Sequence, residues 1–176
     1  EKKTALIATD PAWATVERFE RMLWPGLLLA KAPLRALKQL DRPLSGETWE
    51  LLSRRAEPLN VERAGVDRPD LDLVAVRRVL PKLDTLYLTG RVVNVGDLTG
   101  FLDLDVRCLV ANAWWRPGPE FAAAAAAYAK LLDDVEGVLA RVAELRLHGP
   151  FSKPGAIPPA DVFQRDASGR LRRQAQ

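Results

Sequence analysis

The chain of 176 residues contains one cysteine, Cys108, and one histidine, His148. A disulfide within the chain is therefore excluded, and so is a metal site built from several histidines. The longest aliphatic run, residues 23–30, is interrupted by Pro25 and Gly26. It is shorter than the roughly 20 residues that a membrane-spanning helix needs. These absences favour a globular protein without a membrane span, and we expect a cytoplasmic location.

The sequence also lacks the common nucleotide-binding and hydrolase motifs. Neither G-x-G-x-x-G nor G-x-x-x-x-G-K-[ST] occurs, and G-x-S-x-G is missing as well. We therefore expect no cofactor, and the sequence favours a protein that is not an enzyme.

Hydrophobic residues make up 48% of the chain and charged residues 28%, a balance typical of a domain with a packed core. The net charge is +3, and it comes from residues 165–176, which hold four arginines and one aspartate. The rest of the chain is close to neutral, so it produces no long-range field that attracts polyanions.

The fold class expected from the sequence is α+β. Apolar residues at helical spacing predict three short helices in the N-terminal third, the earliest starting at Asp10. From Leu71 onwards glycines separate short β-prone segments, which predicts a small sheet over residues 71–112. Its last strand is expected from Leu102 to Ala111, where the side chains alternate in character.

One long helix is predicted at residues 119–147, packed against the sheet. It begins with six alanines, which are the strongest helix formers. Gly149 and Pro150 follow as a predicted helix stop. Its apolar residues recur at spacings of three and four, as in a heptad seam, at Tyr128, Leu131, Val135, Val138, Val142 and Leu145. Packing on the domain's own elements is favoured over a coiled-coil dimer.

Residues 150–176 contain four prolines and few apolar side chains, so they predict an extended arm that ends in a basic tail. The sequence thus predicts one globular domain over residues 1–149, followed by this arm. Four arginines of the tail are candidates for contact with phosphate groups or with an acidic partner. They are Arg165, Arg170, Arg172 and Arg173.

An L-x-x-L-x-L rhythm of apolar residues occurs twice, at residues 83–88 and 106–111, 23 positions apart. This rhythm is similar to that of leucine-rich repeats, in which each unit adds a strand to a curved sheet. Asn112 departs from the asparagine position of such repeats, so we assign no family. A repeat-like sheet would present a binding face, and the alternative is two ordinary strands that share their patterning.

Four residues around the end of the last predicted strand are candidates for partner binding: Asn112, Trp114, Trp115 and Arg116. Tryptophan and arginine are frequent anchors of protein interfaces. The alternative is that one tryptophan fills the core between sheet and helix, while the other partly covers the interruption of secondary structure that follows it.

Carboxylates provide a further candidate site. Asp103 and Asp105 are two positions apart on the predicted strand, so their side chains share a face at a distance of about 7 Å. Asp97 lies in the preceding turn. Such carboxylates bind a divalent cation or act as acid and base, and the alternative is a solvated strand face. Cys108 occupies an apolar position and is expected to be buried and unreactive.

Three functions are consistent with these residues. The first is a non-catalytic protein–protein interaction or assembly module, which binds another protein or a second copy of itself through the Trp114–Trp115 region, the heptad face or both. The alternative is a small enzyme or enzyme subunit that uses Asp97, Asp103 or Asp105 with a divalent metal. The second alternative is nucleic-acid contact through the C-terminal arginines.

Overall fold

A computed structural model describes the backbone of residues 39–44, 53–66, 72–112, 121–150 and 159–175. Side chains are described in these ranges except in residues 39–44 and 89–91. Contacts between Cα atoms divide the chain into two compact units, one ending at Tyr87 and one beginning at Leu88. The helices predicted before residue 39 and over residues 45–52 lie outside the described residues.

The first unit contains two parallel strands, β1 (Gln39–Leu44) and β2 (Arg63–Val66). β1 overlaps the second predicted helical segment, which ends at Leu40, by two residues, and it ends before the third, which is predicted to begin at Ser45. Helix α1 (Leu73–Val79) and the first residues of β3 (Thr85–Arg91) follow, and β3 is the next strand after β2 in the sheet.

Helix α1 replaces a strand that the sequence predicts at residues 71–76. Asp72 is its N-cap, because the carboxylate oxygen Oδ1 accepts hydrogen bonds from the backbone N–H of Val74 at 3.0 Å and of Ala75 at 3.1 Å. This cap satisfies two amides that otherwise lack a partner at the helix start. Ala75 and Val79 lie four residues apart and are buried, as expected for one face of a helix.

In the second unit the strands are hydrogen-bonded in the order β3, β4, β5, β6 and β7. The last four are β4 (Cys108–Asn112), β5 (Glu144–His148), β6 (Asp161–Arg165) and β7 (Leu171–Arg173). β4 and β5 are parallel, whereas the pairs β5–β6 and β6–β7 are antiparallel.

Helices separate β3, β4 and β5 along the chain. A 3₁₀ helix (Val95–Leu98) and the short helix α2 (Thr99–Leu102) precede β4, and helix α3 (Phe121–Val135) connects β4 to β5. The described residues thus combine helices with a mixed sheet, as the α+β prediction states. The strand–helix–strand order differs from the predicted block of consecutive strands. None of the helices among the described residues is long and apolar enough to span a membrane.

The apolar rhythm seen twice in the sequence occurs at four strands. At each one, the first apolar residue lies two positions before the strand, and the other two are its second and fourth residues. All twelve side chains are buried, with at most 5% of their surface exposed. They are Val61, Ala64 and Val66; Leu83, Leu86 and Leu88; Val106, Leu109 and Ala111; and Val142, Leu145 and Leu147. This shared pattern of three apolar residues places one face of each of the four strands in a core.

The prediction of a single helix up to residue 147 is wrong. Helix α3 ends at Val135, and Gly137 has a φ of 81°, a left-handed conformation that glycine adopts without strain. Residues 144–148 form β5, so the predicted seam combines a helix face with a strand face. Leu131 and Val135 are buried, so the helical part of the proposed heptad face is in the core.

The prediction of an extended arm is wrong for residues 161–173, which form the β6–β7 hairpin. Phe163 and Leu171 are fully buried. Phe163 pairs with Leu145 of β5 and therefore lies on the same face of the sheet. The hairpin thus completes the core of the second unit, because it covers the outer edge of β5.

Candidate interaction surface

Asn112, one of the four candidate partner-binding residues, is the last residue of β4. Its register partner on β5 is His148, so both lie at the carboxyl end of the parallel strand pair. The Asn112 carbonyl accepts the backbone N–H of Val92 at 3.2 Å, and its side-chain amide donates to the carbonyl of Leu88 at 3.5 Å. Asn112 therefore fixes the chain at the point where it leaves β4.

The other three candidates, Trp114, Trp115 and Arg116, lie outside the described residues. They follow Asn112 after one residue, Ala113, so the connection that contains them begins at the carboxyl end of β4. Helix α3 begins at Phe121, and the partner-binding prediction for these residues stays a prediction.

The sheet face opposite the core carries a polar row across four strands. Cys108 pairs in register with Glu144, Glu144 with Gln164, and Gln164 with Arg172. Register partners project to the same side of a sheet, so these four side chains are neighbours. The row is unequal in exposure, because Cys108 is buried while Gln164 and Arg172 are exposed.

Charge within this row is compensated. The Arg146 guanidinium donates through Nε to Glu144 Oε1 at 2.6 Å, and the Cys108 thiol donates to the same oxygen at 3.5 Å. Burial opposes ionisation of Glu144, but the hydrogen bond and charge of Arg146 outweigh it and lower the pKa of Glu144. Burial raises the pKa of Cys108 to about 11, and Glu144 adds to the increase. The thiol is therefore protonated at neutral pH, in agreement with the expectation that it is buried and unreactive.

The three candidate metal-binding carboxylates do not share a strand. Asp97 belongs to the capping box of the 3₁₀ helix: its Oδ2 accepts the backbone N–H of Val93 at 2.8 Å and of Asn94 at 3.1 Å. Asp103 and Asp105 are exposed and precede β4, which begins at Cys108 rather than at Leu102. The strand placement predicted for this pair is therefore wrong.

Metal ligation needs several donors in one place. Within residues 53–66, 72–112, 121–150 and 159–175, no three His, Cys, Asp or Glu side chains come together in a group that could hold a metal ion. Asp72 and Asp97 serve as helix caps, and Glu144 forms an ion pair with Arg146.

The four C-terminal arginines all have partners within the fold. Arg172 pairs with Asp166 at 2.9 Å, and Arg173 pairs with Asp161 at 2.5 Å. Arg165 and Arg170 instead donate to main-chain carbonyls. Carboxylates thus compensate the charges of Arg172 and Arg173, whereas the carbonyl partners of Arg165 and Arg170 supply no negative charge.

The outer edge of β7 is closed by the residues that follow α3. Leu171 donates its N–H to the carbonyl of Val138 at 2.9 Å and accepts the N–H of Gly137 at 2.9 Å, and Gly169 accepts the N–H of Ala140 at 3.0 Å. An exposed strand edge invites pairing with another chain, and this segment blocks it. Strand addition at this part of β7 is therefore not available to a partner.

Comparison with models of protein families, with curated proteins and with solved structures finds no match. A functional proposal for the chain therefore rests on its own residues. Three features bear on this proposal: the apolar pattern repeated at four strands, the end of β4, and the charge distribution of the hairpin.

Proposed function

We propose that this chain is a non-catalytic protein-interaction module and that its binding site is the segment with Asn112, Trp114, Trp115 and Arg116. The length of one interval in the repeated pattern carries this proposal. The apolar triplets begin at residues 61, 83, 106 and 142, so the last interval is 36 residues long where the first two are 22 and 23. The additional residues belong to the connection between β4 and β5.

In repeat proteins, an insertion of this kind often marks the binding side. Insertions into single repeats form loops, and these loops lie on one side of the array. The connection also starts at the carboxyl ends of parallel strands, the edge at which open sheets with helical crossovers bind their ligands. Length therefore favours the connection between β4 and β5, and position favours its first part, between β4 and α3, as the binding site.

The residue types of the connection fit a protein partner. Tryptophan and arginine are the residues most enriched among those that dominate interface energies. Trp114, Trp115 and Arg116 are consecutive, so they provide two large apolar groups beside one bidentate hydrogen-bond donor. The partner is a second protein or a second copy of this chain.

Selection from a displayed library of random peptides on the immobilised protein tests the proposal. We expect enriched peptides that lose about tenfold or more in affinity for the Trp114→Ala/Trp115→Ala and Arg116→Glu variants, as expected when interface anchors are removed. Tyr87→Ala, which removes an aromatic side chain that is 38% exposed in the first unit, is the matched control and should bind normally.

Two results would contradict the proposal. One is a library without enrichment over the bare matrix. The other is a set of enriched peptides that bind Arg116→Glu as tightly as the unmodified protein. Far-UV circular dichroism of each variant separates loss of binding from loss of fold, and light scattering with and without peptide identifies self-association.

A further inference from the structure

Leu139 is an apolar side chain held at the surface of the second unit. It is 60% exposed, although its backbone forms a β-bridge with Arg170. Its Cδ2 atom would lie 3.7 Å from a β-carbon placed on Gly169, so the side chain rests against the turn of the β6–β7 hairpin. Leu139 is thus a fixed apolar contact point and not part of the core.

Three arginines surround the backbone of this segment. The Arg170 guanidinium donates to the carbonyl of Gly137 at 2.6 Å, and the Arg165 guanidinium donates to the carbonyl of Arg141 at 2.8 Å. Arg141 itself is exposed, and its backbone N–H is held by the carbonyl of Leu102 at 2.7 Å. These bonds hold the Arg165 and Arg170 side chains in place, which lowers the entropy cost of binding a ligand.

Within the part of the chain that the structure describes, none of these three arginines is paired with a carboxylate. Carbonyl oxygens accept the side-chain hydrogen bonds of Arg165 and Arg170 without supplying a negative charge. The other hairpin arginines differ, because Arg172 and Arg173 are paired with carboxylates. Arg165 and Arg170 therefore bring positive charge to the carbonyls of Gly137 and Arg141, two residues before and after Leu139.

We infer that Leu139, Arg141, Arg165 and Arg170 form a docking surface for an acidic peptide segment that carries apolar side chains. Complementary charge would bring the segment to the surface, and the leucine would contact its apolar residues. An aliphatic side chain offers no plane on which a nucleic-acid base can stack, so the surface suits a peptide better than a single strand of DNA or RNA. This inference is independent of the site proposed after β4.

Fluorescence anisotropy tests this surface with a labelled synthetic peptide of alternating glutamate and leucine residues. We expect saturable binding at low salt that weakens as salt screens the charges. Arg141→Glu should weaken binding about tenfold, and Leu139→Ser about fivefold, because they remove charge attraction and apolar contact respectively. Lys82→Glu makes the same charge change at an exposed position of the first unit and should leave binding unchanged.

A glutamate–glycine peptide and an oligothymidylate of equal charge complete the test. The inference holds if these two ligands bind more weakly than the glutamate–leucine peptide. It also requires that Leu139→Ser weakens binding of the glutamate–leucine peptide alone. It is overturned if the glutamate–leucine peptide does not bind or if Lys82→Glu weakens it as much as Arg141→Glu does. It is also overturned if oligothymidylate binds as tightly as the peptide. Circular dichroism spectra of the variants that match that of the parent protein exclude misfolding as the cause.

Discussion

The hydroxyl of Tyr128 on helix α3 donates a hydrogen bond to the carboxylate of Asp161 at the start of β6, with 2.7 Å between Oη and Oδ2. The carbonyl of Leu147 on β5 lies 2.9 Å from the same hydroxyl, and Arg173 of β7 donates to the other carboxylate oxygen. Burial, reinforced by this hydrogen bond, raises the pKa of Tyr128 well above its ordinary value. One phenol thus ties the helix to β5 and β6, and Asp161 extends the network to β7.

We expect Tyr128→Phe to lower the free energy of unfolding by about 1–3 kcal/mol, because it leaves the half-buried Asp161 carboxylate and the Leu147 carbonyl without this donor. Urea denaturation followed by circular dichroism measures the change. Tyr87→Phe removes a hydroxyl from a more exposed ring and serves as the control. Equal stability of the two variants would show that Tyr128 does not hold the strands.

Because the C-terminal hairpin is part of the core, substitution of its buried aromatic residue should strongly lower the stability of the protein. Phe163→Ala should lower the free energy of unfolding by about 3–5 kcal/mol, the usual result of removing a fully buried aromatic ring. Gln164→Ala, at the exposed neighbouring position, should change it by less than about 0.5 kcal/mol. A loose tail would make both substitutions neutral in chemical denaturation.

Gly137 distinguishes a helix that ends at Val135 from one that continues. Nothing lies within 4 Å of an added β-carbon, so only the left-handed φ of 81° opposes a side chain. Gly137→Ala should therefore cost about 1 kcal/mol, and Gly137→Asn should cost less. In a continuous helix, alanine would instead stabilise the protein by about 1 kcal/mol. Thermal or urea unfolding gives the sign of the change.

Asp97 is expected to stabilise the fold as a cap. Asp97→Ala should lower the free energy of unfolding by about 1–2 kcal/mol, because two backbone N–H groups lose their acceptor. Asp103→Ala, at an exposed position without such contacts, should stay within about 0.5 kcal/mol of the parent protein. If Mg²⁺ stabilised the parent protein but neither variant, a metal role for these carboxylates would replace the capping account.

Cys108 predicts a loss of stability in alkaline solution. Its pKa is raised from 9.0 to about 11 in the folded protein, so between these values the unfolded chain has lost a proton that the folded chain keeps. Stability therefore falls as pH rises through this window, by about 1–3 kcal/mol for a thiol buried to this degree. Cys108→Ala should remove that part of the decline in urea denaturation. Identical pH profiles of the two proteins would contradict the account.

The sequence predicted those elements in which one local signal dominates. The alanine-rich start of α3 fixed its beginning near Phe121, and the β-prone segment at residues 83–88 located β3 within a few residues. The end of β4 was also predicted correctly to within one residue, but its start was placed at Leu102 and lies at Cys108. The L-x-x-L-x-L rhythm explains the main error. Its spacing of three between Val142 and Leu145 continues the helical spacing that ends at Val135, so the two patterns merge into one apparent heptad seam. The turn signal at Gly137 separates them.

Other errors came from polar residues whose role depends on their neighbours. Asp72 suits either a strand or a helix N-cap, and the buried face of α1 decides for the helix. In the tail, Asp166 and Gly169 form the hairpin turn: the Asp166 carboxylate accepts N–H groups from Ser168 and Arg170, and Gly169 has a φ of 82°. Aspartate at the first and glycine at the fourth position are typical of a type I turn, which longer hairpin loops are often built around. The burial of Phe163 depends on long-range pairing, which no local pattern gives.

The central claim is that the repeated apolar pattern marks a fourth strand, β5. Backbone chemical shifts of residues 121–148, measured by nuclear magnetic resonance, test this claim most directly. The account predicts helical shifts that stop at Val135, extended shifts over Glu144–His148, and nuclear Overhauser contacts that place Leu145 opposite Phe163. Helical shifts without interruption up to Leu147 would contradict it, because the fourth repeat, the 36-residue interval and the binding site placed in it all depend on that strand.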